Sequence, residues 1–275
     1  QSAIAYMDTL RASTRTDQNR LPDRRHLFGL LPASISHEGY SDRAAYSYWD
    51  DFWGLLGYRD AVFIAETLRE AEAITRIEAS HAEFLNDVVT SIEATASHHG
   101  IDWIAGAADR GDFDATSTTI GLSPGGLQSV LPQALLARTF DRYWENFTAR
   151  AANRAAWRDY TPYELRTVGA FADQRPQAWN GWAEVVGRDP REPRFIGDMP
   201  HAWISSDYIR SALDLFVYER DADHSLVLAA GLPQTWWGSE TGVGVRAVQT
   251  AYGLLTFLIR HRAGTTVLTL DGQVQ

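Results

Sequence analysis

Between Ala61 and His98 the chain carries neither glycine nor proline. Nothing in that stretch breaks a helix, and Ile77, Phe84, Leu85, Val88 and Ile92 recur mostly at three- and four-residue steps. That spacing is the signature of an amphipathic helix with one buried face. Gly100 supplies the expected stop. A second helical pattern runs through Leu135, Leu136, Phe140, Tyr143, Trp144 and Phe147, and a third through Ile209, Leu213, Phe216 and Val217. Ser41 and Asp42 offer N-caps for a helix through Tyr48–Trp53. Thr161-Pro162-Tyr163-Glu164 reads as another helix start, with a cap, a first-turn proline and a glutamate three residues on.

Around these helices lie less regular segments. Residues 1–27 are polar and arginine-rich, with little core of their own, and 103–126 form an irregular Gly/Asp/Ser/Thr stretch. After Arg220-Asp221 the texture changes. Ser225–Ala230, Gly242–Thr250, Gly253–Arg260 and Thr265–Asp271 are short β-branched or alternating segments, and Leu255, Phe257 and Ile259 share a face at a period of two. The expected organisation is a helical domain over 1–222 and a β-rich segment over 223–275.

Composition excludes several chemistries. A formal net charge of −10 is the wrong sign for a phosphate-reading surface, so a nucleic-acid partner is not expected. The chain has no cysteine, which removes thiol catalysis, disulfides and cysteine-ligated metals. All 25 basic residues are arginine, which removes the P-loop lysine, Schiff-base chemistry and Ser–Lys hydrolases. No apolar run has the length of a membrane span, and the opening segment lacks a signal-peptide layout. The expectation is a soluble protein, cytoplasmic or secreted. Its first residue, Gln1, marks either processing or a piece of a longer chain.

Chemistry concentrates in Tyr48-Trp49-Asp50-Asp51-Phe52-Trp53, two adjacent carboxylates among aromatic rings. A second aromatic run, Trp179-Asn180-Gly181-Trp182-Ala183-Glu184, carries one more acid. Sugar rings stack on aromatic faces, and glycosidic cleavage uses two carboxyl groups. Asp112 and Asp114, in a run of hydroxyl residues, could hold sugar hydroxyls or serve as turn and cap residues. Asp198-Met199-Pro200-His201-Ala202-Trp203 precedes a helix, a suitable place to hold a ligand oxygen. Metal ligation and cofactors are not expected: there is no HExxH, and adjacent His98 and His99 should point apart on a helix. Neither a G-x-S-x-G elbow nor a G-x-G-x-x-G fingerprint is present.

The order of these motifs resembles the six-hairpin, (α/α)6-barrel glycosidases, and the glucoamylase family in particular. That family carries a Trp–Glu–Glu box before long helices, and a late-loop glutamate ahead of a Gly-x-x-Pro-x-Ala-aromatic stretch. Tyr48-Trp49-Asp50-Asp51 is similar to the box, and Glu184 precedes Gly197-Asp198-Met199-Pro200-His201-Ala202-Trp203 at similar spacing. Tyr160–Arg166 and Gly111–Thr119 also look like bacterial barrel proteins often found beside discoidin-like sugar-binding modules.

The resemblance covers roughly residues 28–220. It implies a mainly α fold, an (α/α)6 toroid followed by a small β-sandwich-like segment, and an inverting glycoside hydrolase acting on an oligo- or polysaccharide. Asp50 would be the general acid and Glu184 the base. Tyr48, Trp49, Trp53, Trp179, Trp182 and Trp203 would wall the sugar site, with Asp51, Asp112, Asp114, Asp198 and His201 binding hydroxyls. Two departures stand out. Aspartate replaces glutamate in the box, as it does in trehalase-type relatives, and fewer helices are visible than a full barrel requires. The toroid would then be incomplete, with its first half missing or supplied elsewhere, and the chain a fragment or an inactive version.

Other readings remain open at this point. A phosphorylase would use Arg188, Arg191 and Arg194 for phosphate. A polysaccharide lyase would use Tyr40 or His37. A sugar-binding module would bind without turnover.

Overall fold

The computed structural model describes residues 2–35, 40–154, 159–160, 163–164, 184–187, 201–220, 223–238 and 240–272. The chain divides into two compact units, Gln1–Ala156 and Trp157–Gln275.

In the first unit, α2 (Tyr48–Thr67) and α3 (Ala71–His99) form an antiparallel hairpin. The stretch free of glycine and proline therefore spans a reversal. The chain turns through Leu68, Arg69 and Glu70, with Arg69 at φ 60° and its N–H bonded to the Glu66 carbonyl. A non-glycine residue in that region costs about 1–2 kcal/mol, which the packing of the two helices offsets. The Tyr58 and Phe84 rings meet edge to face at 5.9 Å. Phe52, Leu55, Val88 and Ile92 join them in one core cluster, and burying each such side chain contributes about 1.5–3 kcal/mol. Gly100 ends α3 in the left-handed conformation at φ 65°, as the sequence predicts.

Helix α1 (Ser2–Ala12) corrects the expectation that residues 1–27 contribute little core. Ile4 and Leu27 lie in the central cluster. Arg11 is buried and bonds Asp87 of α3 at 3.3 Å, and Arg15 reaches the same carboxylate. The Thr14 hydroxyl bonds the Leu30 carbonyl at 2.6 Å, which fixes the loop that follows. That loop contains short 3-10 turns at Gln18–Arg20 and Arg25–Leu27. Gly29, at φ +77°, allows the chain to pass against Asp87; a Cβ there would lie 2.1 Å from Asp87 Oδ2.

The unit is completed by α4 (Ala115–Leu122), which the sequence reads as irregular, and α5 (Gln133–Ala151). Gly121 of α4 sits against Phe52, where a Cβ would be 3.1 Å from the ring. Helix α2 begins after Ser47 rather than at the expected Ser41–Asp42 caps. The preceding segment runs extended instead, bridging Ala45 to Ser34 and Ser47 to Ala107.

The second unit opens with two short paired strands, β1 (Asp159–Tyr160) and β2 (Val186–Gly187). Helix α6 (Ala202–Asp214) stops before Phe216 and Val217, which the periodicity had included. Val217 begins β3 (Val217–Arg220), paired antiparallel with β4 (Ser225–Leu228). After the short α7 (Gln234–Trp237), strands β5 (Val243–Thr250), β6 (Gly253–Arg262) and β7 (Thr265–Gly272) form an antiparallel sheet in that order. Ala263 and Gly264, at φ 48° and 80°, make the two-residue turn between β6 and β7, where positive φ at both positions matches strand twist. Val217, Leu255 and Phe257 are the buried centre of this region, with Leu226, Leu228 and Ile259 packed around them.

A mainly helical fold with a C-terminal antiparallel sheet region is what the chain adopts. The helical-to-strand change falls near residue 217, whereas the division into units falls at Ala156. Among the described residues, no helix is long and apolar enough to cross a membrane.

Candidate functional site

The first turn of α2 and the loop 103–114 are built together. The Tyr48 N–H bonds the Gly106 carbonyl at 3.0 Å, and Ser47 and Ala107 form a β-bridge. Ala105 bridges Phe113, folding the loop back on itself. On this frame Asp50 is half-buried, and its Oδ2 accepts from the Ser34 hydroxyl at 2.7 Å. Trp49 is half-buried and Trp53 is 38 % exposed, their ring centroids 6.3 Å apart at 60°. Together, the box presents one reachable acid beside an exposed indole.

Its other two polar members point inward, which corrects their assignment as sugar contacts. Tyr48 is fully buried, its phenol oxygen 2.8 Å from both Ser91 Oγ and Thr95 Oγ1. Asp51 is also fully buried. Its Oδ1 accepts the Leu31 N–H at 2.9 Å, and its Oδ2 has no hydrogen-bond partner. Burial pushes the Asp51 carboxyl well above its usual range despite the Leu31 bond, and the Asp50 charge adds to the rise.

Asp112 and Asp114 lie on the same loop and are half-buried. Asp112 accepts the Tyr40 hydroxyl at 2.7 Å through Oδ2 and the Ala107 N–H at 3.0 Å through Oδ1. Asp114 caps α4, accepting the Thr116 N–H at 3.0 Å and the Ser117 hydroxyl at 2.5 Å. Burial lifts the Asp114 carboxyl above its usual range, and these hydrogen bonds oppose the rise. Gly106 permits the crowding: a Cβ there would be 2.3 Å from Tyr40 Oη and 3.1 Å from Asp112 Oδ2. Gly106 therefore holds the first turn of α2 through its carbonyl while Tyr40 and the two acids close over its α-carbon.

Tyr40 is poorly suited to act as a lyase base. Burial, then the Asp112 charge and hydrogen bond, hold its phenol far above the usual range, and Arg110 stacked over the ring at 4.5 Å only partly opposes this. Arg110 also forks onto Asp42, at 2.9 and 3.3 Å, tying down the segment before α2.

A third group falls at the same open end of the α2–α3 hairpin, in the last turn of α3. His98 and His99 do not point apart into separate surroundings; both meet His26. The His26 and His98 rings stack at 4.1 Å, and His99 lies 5.9 Å from His26 and 4.8 Å from His98. One ligand nitrogen from each ring lies within 4.8 Å of the others. Burial, reinforced by its two imidazole neighbours, lowers the His26 pKa to about 4.

In the second unit, Glu184 is half-buried just before β2. His201 caps α6, with Nδ1 accepting the Ile204 N–H at 3.3 Å. Tyr163, which the sequence marks as part of a helix start and of the Tyr160–Arg166 resemblance but not as a site residue, meets His201 edge to face at 5.8 Å and Trp203 at 5.6 Å. Trp203 is 41 % exposed. The expected contributions of Trp179, Trp182 and Asp198, with His37, Arg188, Arg191 and Arg194, lie outside the described residues. Ser34 and His26 carried no sequence signal of their own; only the fold brings them to Asp50 and to the histidine pair.

No family model, curated protein or solved structure matches this chain.

Proposed function

We propose that the protein acts on carbohydrate, as an inverting glycoside hydrolase built on an (α/α) toroid-type scaffold with an appended β-sandwich-like segment. Asp50 donates a proton to the leaving glycosidic oxygen, and Glu184 activates the attacking water. The α2–α3 hairpin is the repeating unit such a toroid would use. The observation that carries the reading is the half-buried Asp50 carboxyl, held through one oxygen by Ser34 on the same helical turn that carries Trp49 and the exposed Trp53. A carboxyl fixed through one oxygen keeps the other for substrate, and the indole offers a stacking face for a sugar ring.

An inverting pair works with its carboxyl groups about 6.5–9.5 Å apart. Asp50→Asn and Glu184→Gln should each reduce turnover of an oligosaccharide panel by about 10²–10⁴-fold, followed by NMR of the product anomer, with circular dichroism unchanged. Full turnover in either variant rejects the mechanism.

Sugar binding without turnover is the second reading, favoured by the withdrawal of Tyr48 and Asp51 into the core, which leaves Asp50 as the reachable acid of the box. Calorimetric binding of oligosaccharides with no product released distinguishes it, with Trp53→Ala weakening the binding. Turnover that requires inorganic phosphate would instead indicate a phosphorylase.

A further inference from the structure

We infer that His26, His98 and His99 form a binding site for a divalent first-row transition cation such as Zn²⁺, with one coordination position open to solvent. The inference does not depend on the carbohydrate reading.

Three independent features support it. His26 is only 5 % exposed, and its Nδ1 finds no hydrogen-bond partner. A buried ring nitrogen left in that state is unusual, because buried polar atoms are nearly always satisfied. The rings packed on His26 are two further imidazoles, so the ready partner for the trio's lone pairs is a cation shared among them.

The second feature is the anchoring of His99. Its Nε2 lies 3.0 Å from the Ala108 carbonyl oxygen. A carbonyl only accepts, so Nε2 carries the proton and Nδ1 presents its lone pair. Metal-binding histidines are typically oriented in this manner, with the non-ligating nitrogen donating to a carbonyl or carboxylate. Gly111 completes the seat: it has φ +64°, and a Cβ there would be 2.4 Å from His99 Cγ. The turn thus lies flat against the ring.

The third is access. His98 is exposed, His99 half-buried and His26 buried, so the trio runs from the core to the surface. Bonds of about 2.0–2.1 Å to one ion require His98 to rotate out of its stack on His26, and its exposure leaves it room to do so. Three protein nitrogens with a solvent-facing fourth position is the arrangement of open zinc sites. An all-imidazole set suits Zn²⁺, Ni²⁺, Co²⁺ or Cu²⁺ and disfavours Mg²⁺ and Ca²⁺, which take oxygen ligands. The charged groups acting on His26, Arg24 and Asp109, are opposite in sign.

The test uses the full chain, stripped with a chelator and titrated calorimetrically with ZnCl₂. One saturable equivalent is expected, with a rise in Tm on loading. X-ray absorption of the zinc-loaded protein should show imidazole nitrogens at about 2.0–2.1 Å. His98→Ala removes an exposed ligand and should keep the metal-free Tm while weakening Zn²⁺ binding by at least about tenfold; His99→Ala should weaken it as much. Asp50→Asn should leave Zn²⁺ binding unchanged, which separates this site from the proposed sugar site. Absence of saturable binding, or wild-type affinity in His98→Ala, overturns the inference.

Discussion

The two compact units are held in different ways. The first buries polar and charged side chains within its core: Arg11, Asp51, Asp87, Ser91, Thr95, Thr118 and Thr139 are all nearly inaccessible. The described part of the second has a small apolar centre at Val217, Leu255 and Phe257, and its outermost strand, β7, is exposed along its whole length. A buried polar group is costly without a partner, and most of these side chains have one, the Asp51 Oδ2 and Thr118 Oγ1 atoms excepted, so the first unit constrains its positions individually. Strand pairing in the second fixes register through the backbone, Phe257 opposite Leu270 and Ile259 opposite Leu268, and asks less of individual side chains. Among the described residues, buried polar side chains held by hydrogen bonds therefore concentrate in the first unit.

Substitutions can break or sharpen that contrast. The largest effect is expected from Gly29→Ala. The new methyl meets Asp87 at a positive φ, adding backbone strain to the disruption of a buried ion pair. A loss of roughly 4–6 kcal/mol follows, read as lost hydrogen-exchange protection in α1 and α3; unchanged protection there would remove the claim that positions in this unit are individually specified. Phe257→Ala should be milder, about 3 kcal/mol, because a small cluster collapses more readily around a cavity. Protection in β5–β7 measures it, and a loss matching that of Gly29→Ala would erase the distinction.

The smallest effect is a dependence on pH. Asp51 has a folded pKa above its unfolded one, so the folded state binds this proton more tightly. Its contribution is complete below about pH 4, the unfolded value, and is lost as pH rises toward the folded pKa. Asp51→Asn is uncharged throughout, and its stability should decline less than the wild type's between pH 4 and pH 8 in urea unfolding. Parallel curves would show that Asp51 does not carry the effect.

Much of the architecture was readable in advance. Gly100 closes α3, and the period-two spacing of Leu255, Phe257 and Ile259 marks β6, because these are local rules. The inward turn of Asp51 was also legible: Tyr48, Phe52, Leu55 and Tyr58 repeat at three- and four-residue steps, and Asp51 stands on that face. The spacing of Trp49 and Trp53 drew attention to the opposite face. What could not be read was tertiary. The convergence of His98 and His99 depends on a ring from the loop after α1, and Asp50 owes its orientation to Ser34, a hydroxyl with no motif around it.

The hydroxyls behind the first turn of α2 have one further consequence. Ser91 donates its only proton to the His26 carbonyl at 2.5 Å, so between Ser91 and Tyr48 the phenol must be the giver. Its proton spent, Tyr48 can only receive from Thr95. The relay therefore has a single polarity, from Thr95 through Tyr48 and Ser91 to the backbone that carries His26. Displacing that backbone unfastens a line that passes through Tyr48, two residues from Asp50.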